Sequence, residues 1–180
     1  MGETVCVAVA RCERLVDGLL LLARSEQTII LHEPGDLAYA VELALVPWAE
    51  TSVRLGLCTE LHLAPAPTRG DQALLERLVS NLVENAVRYN IPGGLLRIIT
   101  GSEADSATLV VENDGPLIPA EAVESLFLPF RRLSGDRTGA AQGAGLGLSI
   151  ARAVAEAHGG SLRAVARPEG GLWVALSLPT

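Results

Sequence analysis

Three observations predict an α+β chain folded as a two-layer sandwich, a mixed sheet with helices on one face, preceded by one long helix. Segments with a helical period are interleaved with segments that alternate every second residue. Their order lacks the regular strand–helix alternation of a doubly wound sheet. Of the 180 residues, 49% are hydrophobic but only 3% aromatic, so Leu, Val and Ala must fill the core. A mean hydropathy of +0.33 excludes a disordered or collagen-like chain.

From the N-terminus, Val9, Cys12, Leu15, Val16, Leu19, Leu20, Leu22 and Ala23 recur at helical spacing, with charged residues between them. Gly18 weakens that helix, and its broad apolar stripe suits either a helix of another chain or the chain's own domain. The breakers in 32–36 mark a joint, so residues 1–30 and 34–180 are expected to form separate units. A helix is predicted over 36–49, then strand, turn and strand over 53–63. Asp71 caps a strongly periodic helix that runs to Asn90 and stops at Ile91-Pro92-Gly93-Gly94. Strands are expected at 95–100 and 108–113, a short helix at 120–127, and a Gly- and Arg-containing loop reaching Ala144. A helix over 146–158 is stopped by Gly159-Gly160, and strands at 161–166 and 172–178 close the chain as a hairpin.

Acidic residues outnumber Lys and Arg by 21 to 14, a net charge of -7, and no basic run is present. This argues against general nucleic-acid binding, which needs a clustered basic surface. The cysteines, Cys6, Cys12 and Cys58, form no C-x-x-C pair and have no His at zinc-ligand spacing, so they read as buried small hydrophobes of a reducing compartment. The longest apolar run, 18–23, is far too short to cross a bilayer, and a cytoplasmic location is expected.

On the helix 71–90, at about 100° per residue, Leu75, Val79, Leu82, Val83 and Ala86 cover one side. Asn81, Asn85, Arg88 and Tyr89 share the adjacent arc. An Asn oxygen can ligate Mg²⁺, an Arg can pair with phosphate and a Tyr ring can lie along a base, so the arc suits a metal-nucleotide; a solvated polar flank is the bland alternative. The stretch 111–119 turns sharply at Asn113-Asp114-Gly115, placing amide or carboxylate oxygens where an adenine amino group can be read. Gly143, Gly145 and Gly147, spaced by two and interleaved with Leu146 and Leu148, precede a helix whose N-terminal amides can approach phosphates. They match neither the dinucleotide fingerprint nor a Walker A loop.

In order, NLVENAVRYN (81–90), NDGPLIP (113–119), LFLPFRRL (126–133) and GAGLGLSIARAVAEAHGG (143–160) resemble the N, G1, F and G2 boxes of sensor histidine kinases. These share a Bergerat-type ATP-binding fold with gyrase B and a heat-shock chaperone. The resemblance covers about residues 34–180 as the catalytic ATP-binding domain, and 11–26 looks like the second helix of the family's dimerisation hairpin. It implies ATP and Mg²⁺ as ligands, Asn85 as the metal ligand, Asn81 and Arg88 as phosphate-side contacts and Tyr89 in the adenine wall. It further implies Asn113, Asp114, Gly115 and Leu117 at the base. Gly143, Gly145, Leu146, Gly147 and Leu148 would form the hinge and backbone of a phosphate-covering lid that also carries Arg132. Phe127 and Phe130 look like lid anchors.

Two departures from that pattern stand out. Asn113 and Leu117 occupy positions that usually hold Asp and Gly, so the base reader is an amide with Asp114 beside it. No histidine has the acceptor pattern: Pro34 breaks helix context after His32, His158 fits a cation at a helix C-terminus, and His62 lies in a strand. The expected activity is therefore transfer of the ATP γ-phosphoryl to a His on a dimerisation hairpin not contained in this chain. The implied partners are that hairpin, a response regulator and a second copy in the full-length form, with no nucleic acid, and with any membrane anchor upstream. A non-catalytic nucleotide-binding module is the alternative. Steady hydrolysis is disfavoured because Asn81 stands where a water-activating Glu is needed.

Overall fold

The computed structural model describes residues 33–131 and 145–180. The expected leading helix, with Cys6 and Cys12, and the residues Arg132, Arg137 and Gly143 lie outside the described residues. In chain order the elements are β1 (Glu33–Asp36), α1 (Leu37–Leu45), a 3-10 turn (Val46–Trp48), α2 (Ala49–Leu55), β2 (Cys58–Leu63), β3 (Pro67–Gly70) and α3 (Gln72–Arg88). There follow β4 (Leu95–Glu103), β5 (Ser106–Asn113), two 3-10 turns (Ala120–Ala122 and Glu124–Phe127), α4 (Gly147–Ala157), β6 (Ser161–Ala166) and β7 (Leu172–Pro179). The main sheet has the order β2-β4-β5-β7-β6; β2 is parallel to β4 and every other neighbour is antiparallel, so the sheet is mixed, as the sequence predicts.

The pleat sorts side chains. Along β5, Ala107, Leu109, Val111 and Asn113 are buried, while Thr108, Val110 and Glu112 face the other way. Helix α3 packs between α1 and α4 and buries Leu75, Leu78, Val79, Leu82, Val83, Ala86 and Val87, a helical stripe wide enough to meet both neighbours and the sheet. Leu78 is fully buried, and its truncation to Ala is expected to cost about 2–5 kcal/mol. Asp71 starts α3 by accepting the Leu74 N–H at 3.1 Å, leaving its own N–H to donate to His158 Nε2 at 3.1 Å.

Several expectations are corrected here. The joint at 32–36 contains β1, which pairs with β3 in register Glu33↔Gly70 to Asp36↔Pro67; Asp36 then caps α1 by accepting the Ala38 N–H at 2.7 Å. Residues 53–55 belong to α2, not to a strand. Val53 is 81% exposed, so its alternation with Leu55 and Leu57 marks no sheet face, and Gly56, left-handed at φ 63°, ends a helix rather than making a hairpin turn. Residues 120–127 form two 3-10 turns instead of an α-helix. Cys58 is exposed on the edge strand β2, not buried. His158 does not cap as a cation: it accepts a hydrogen bond at Nε2 and donates from Nδ1 to Val154 O at 2.8 Å, pinning the C-terminus of α4 to the start of α3.

Candidate functional site

The polar arc of α3 begins with Asn81, 9% exposed, held down by the leucines and valines that bury the helix. Its Nδ2 is buried and has no hydrogen-bond partner among the described residues. Such a donor costs roughly 1–3 kcal/mol in the folded state, so it marks a group kept for something other than stability. The amide faces the first turn of α4: a Cβ on Gly147 would stand 3.7 Å from Asn81 Oδ1. Asn85, one turn further along α3, is half-buried.

Arg88 continues the arc, but its guanidinium is engaged. It donates to Glu84 Oε1 at 2.6 Å and lies over the Trp48 ring, 5.6 Å from the centroid, while its Nε is buried with no partner among the described residues. Glu84 is thus a half-buried ion-pair partner of Arg88 and not a loose surface charge. Tyr89 forms the C-cap of α3 and is half-buried.

The turn after β5 packs against this end of α3. A Cβ on Gly115 would meet the Tyr89 carbonyl oxygen at 2.7 Å, so only glycine permits the approach. Asn113 is 4% exposed on the helix-facing side of β5, and its Nδ2 donates to Asp114 O at 2.8 Å. That bond fixes the amide orientation, because a carbonyl can only be met by the NH₂ end, and leaves Oδ1 as the acceptor. Asp114 does not turn inward. Its Oδ2 accepts from Leu95 N at 2.8 Å and its Oδ1 from Arg167. The Leu95 N–H first, and Arg167 second, hold its carboxyl below the ordinary carboxylate value. Leu117 projects to solvent, 73% exposed.

At the N-terminus of α4, Leu146 and Leu148 are buried, anchoring the helix so that its first amides stay beside Asn81. Gly145 adopts φ 70°, and a Cβ there would come within 2.9 Å of Arg131 O. Phe130 N–H donates to Gly145 O at 2.9 Å, so the residues flanking 132–144 are joined directly. Phe127 is buried beneath the Arg152 guanidinium, 3.6 Å from its ring centroid, whereas Phe130 is 60% exposed.

Residues 70–180 match the family model described as histidine kinase-, DNA gyrase B- and HSP90-like ATPase. The chain belongs to this ATPase family. Over 180 residues it is 46% identical to the sensor protein CutS of Streptomyces coelicolor, covering 99% of this chain and 44% of that protein. It is 33% identical to the signal transduction histidine-protein kinase BaeS of Escherichia coli, covering 95% of this chain and 37% of that one. The chain thus spans less than half the length of these relatives. Among solved structures, the mycobacterial sensor histidine kinase MprB matches with TM-score 0.70 and 29% identity, over 83% of this chain and 97% of that one.

Within this ATPase domain, the structure brings Asn81, Gly147 and the buried Leu146 and Leu148 together where α4 starts beside α3, and Tyr89, Asn113 and Gly115 together at the C-terminus of α3. Two contributors escaped the sequence reading. Trp48 reaches Arg88 from the α1–α2 junction. Arg167 reaches Asp114 from the β6–β7 connection, 53 residues away, a separation at which no local spacing rule signals a contact. Among the described residues no group of three or more His, Cys, Asp or Glu is placed to hold a metal ion.

Proposed function

We propose that this chain is the ATP-binding, phosphoryl-donating part of a bacterial sensor histidine kinase, its first 30 residues being one helix of a dimerisation hairpin and residues 34–180 the catalytic domain. The buried Asn81 side chain, packed beside Gly147 at the start of α4 and with an Nδ2 that has no hydrogen-bond partner among the described residues, carries the reading. A phosphate oxygen lodged there would accept from Asn81 Nδ2 and from the free amides of the helix N-terminus, where the dipole favours an anion. The half-buried Asn85 would present its oxygen to Mg²⁺, which neutralises phosphate charge when bound. Arg88, once released from Glu84, adds a second cation within reach of the phosphates. Asn113 Oδ1 accepts the adenine amine, with Tyr89 and Gly115 closing that end.

Phosphoryl transfer needs chiefly positioning and charge neutralisation. This domain supplies both and leaves the acceptor His to a hairpin outside the chain, in a dimeric parent held on the cytoplasmic side of a membrane. A response-regulator Asp receives the phosphoryl next. The test is calorimetric titration of Mg-ATP, followed by radiolabelled ATP with dimerisation hairpins supplied in trans. Mg-dependent binding plus labelling of a hairpin His is expected. Binding with no labelling of any hairpin would favour a nucleotide-binding module, and no binding would overturn the nucleotide site.

A further inference from the structure

The connection between β6 and β7 carries no residue of the nucleotide pocket, yet it is built against the turn that holds Asn113. Gly171 N–H donates to Pro116 O at 2.9 Å, and Gly170 and Gly171 sit at φ 105° and 93°, a conformation that lets bare backbone lie against the Asn113–Pro116 backbone. From this connection a single guanidinium, Arg167, spans the turn. Its Nε donates to Glu112 Oε1 at 2.8 Å; one terminal nitrogen donates to Asn113 O at 3.3 Å and pairs with Asp114 Oδ1. Arg167 is only 18% exposed. Its partners are thus the residue before the base-reading amide, that residue's own carbonyl and the residue after it.

We infer that Arg167 is a positioning residue for nucleotide selection, holding the Asn113 side-chain amide in the one orientation that accepts from an adenine amine and rejects a guanine carbonyl. The inference rests on the reading of Asn113 as the base contact. The chain of cause is short. Asn113 Nδ2 is tied to the Asp114 carbonyl, and the Asp114 peptide is fixed because its side chain is held between Leu95 N–H and Arg167. Arg167 also holds the peptide on the other side of Asn113 through its carbonyl. An Asn amide is symmetric in shape but not in chemistry: turned over, it offers NH₂ where it offered oxygen. A carboxylate needs no such tether, since both of its oxygens accept; an amide at this position does. Without Arg167, Asp114 Oδ1 and the Asn113 carbonyl lose their shared donor, the turn is left to the Leu95 and Gly171 bonds alone, and the amide can present either end to a base.

The test compares affinities of the whole chain for Mg-ATP and Mg-GTP by calorimetric titration, in wild type, Arg167→Ala, Arg167→Lys and Arg97→Ala. Arg97 pairs with Glu60 and Glu112 on the outer sheet face and serves as the control that weakens the ion-pair ladder without touching Asn113 or Asp114. The ATP:GTP affinity ratio is the readout, because a merely structural loss lowers the folded fraction and leaves the ratio unmoved. The expected result is a wild-type preference for ATP that falls about 10-fold in Arg167→Ala, partly returns in Arg167→Lys and is retained in Arg97→Ala. An unchanged ratio in Arg167→Ala overturns the inference while leaving the ATP site intact. Should that variant not fold, the same ratio is read from Arg167→Lys, where an undiminished preference overturns it. A wild type that binds both nucleotides equally overturns it as well, and one that binds neither overturns the nucleotide site with it.

Discussion

Two sets of polar groups along α3, the donors on the helix itself and the Asn113 turn beside it, are buried alike but satisfied differently. Among the described residues, Asn81, 9% exposed, has no partner for its amide nitrogen, and Arg88 beyond it has no acceptor for its buried Nε. Asn113, 4% exposed, is tied to Asp114, which is tied to Leu95 and Arg167. One set is left in want of oxygen atoms; the other is finished. Buried polar groups are normally paired, so the unfinished set is where an anion adds most, and the finished set is where shape is set beforehand.

The sharpest way to break this contrast is in the unfinished set. Asn85→Ala is expected to weaken Mg-ATP binding at least about 10-fold by calorimetry, with the fold unchanged by circular dichroism. Asn81→Leu should separate function from stability: nucleotide binding is lost while the midpoint of thermal unfolding stays level or rises, because an unsatisfied donor is replaced by an apolar group of similar size. In the finished set the sign reverses. Asp114→Ala leaves Leu95 N–H and Arg167 short of an acceptor and should destabilise by about 2 kcal/mol in urea unfolding.

Acid sharpens the same point. The folded Asp114 carboxyl lies below its ordinary value of 3.8, so the native state binds its proton less readily than the unfolded chain. Its contribution is therefore complete above about pH 4 and is lost as the pH falls further, through the folded value. The stability difference between wild type and Asp114→Asn should shrink over that interval. The smallest effect is expected from Glu84→Gln, which frees Arg88 from an i,i+4 pair and should raise Mg-ATP affinity about 2-fold.

Much of the unfinished set was legible in the sequence because it lies on one helix. A single period relates Asn81, Asn85 and Arg88, and Asp71 starts that helix by a local rule, although it ends at Arg88 with Tyr89 as C-cap, short of the expected Asn90. The turn at Asn113 was legible for the same reason. What the sequence could not supply was everything joined across the sheet. That Asp114 turns to Arg167, and that Trp48 lies against Arg88, are contacts between segments far apart in the chain. Residues 33–36 become a strand only because Pro67–Gly70 lie alongside, a pairing invisible in a four-residue stretch full of breakers. Propensity speaks for neighbours in the chain, and these contacts are made by neighbours in space.

The hydrogen bond from Phe130 to the Gly145 carbonyl has one more consequence. It closes a neck: the chain leaves the folded body at one residue and re-enters at another that the first already touches. Doubling such a connection costs only about 0.6 kcal/mol of closure entropy. A connection of different length or charge can therefore join Phe130 to Gly145 while the sheet, α3 and α4 stay as they are.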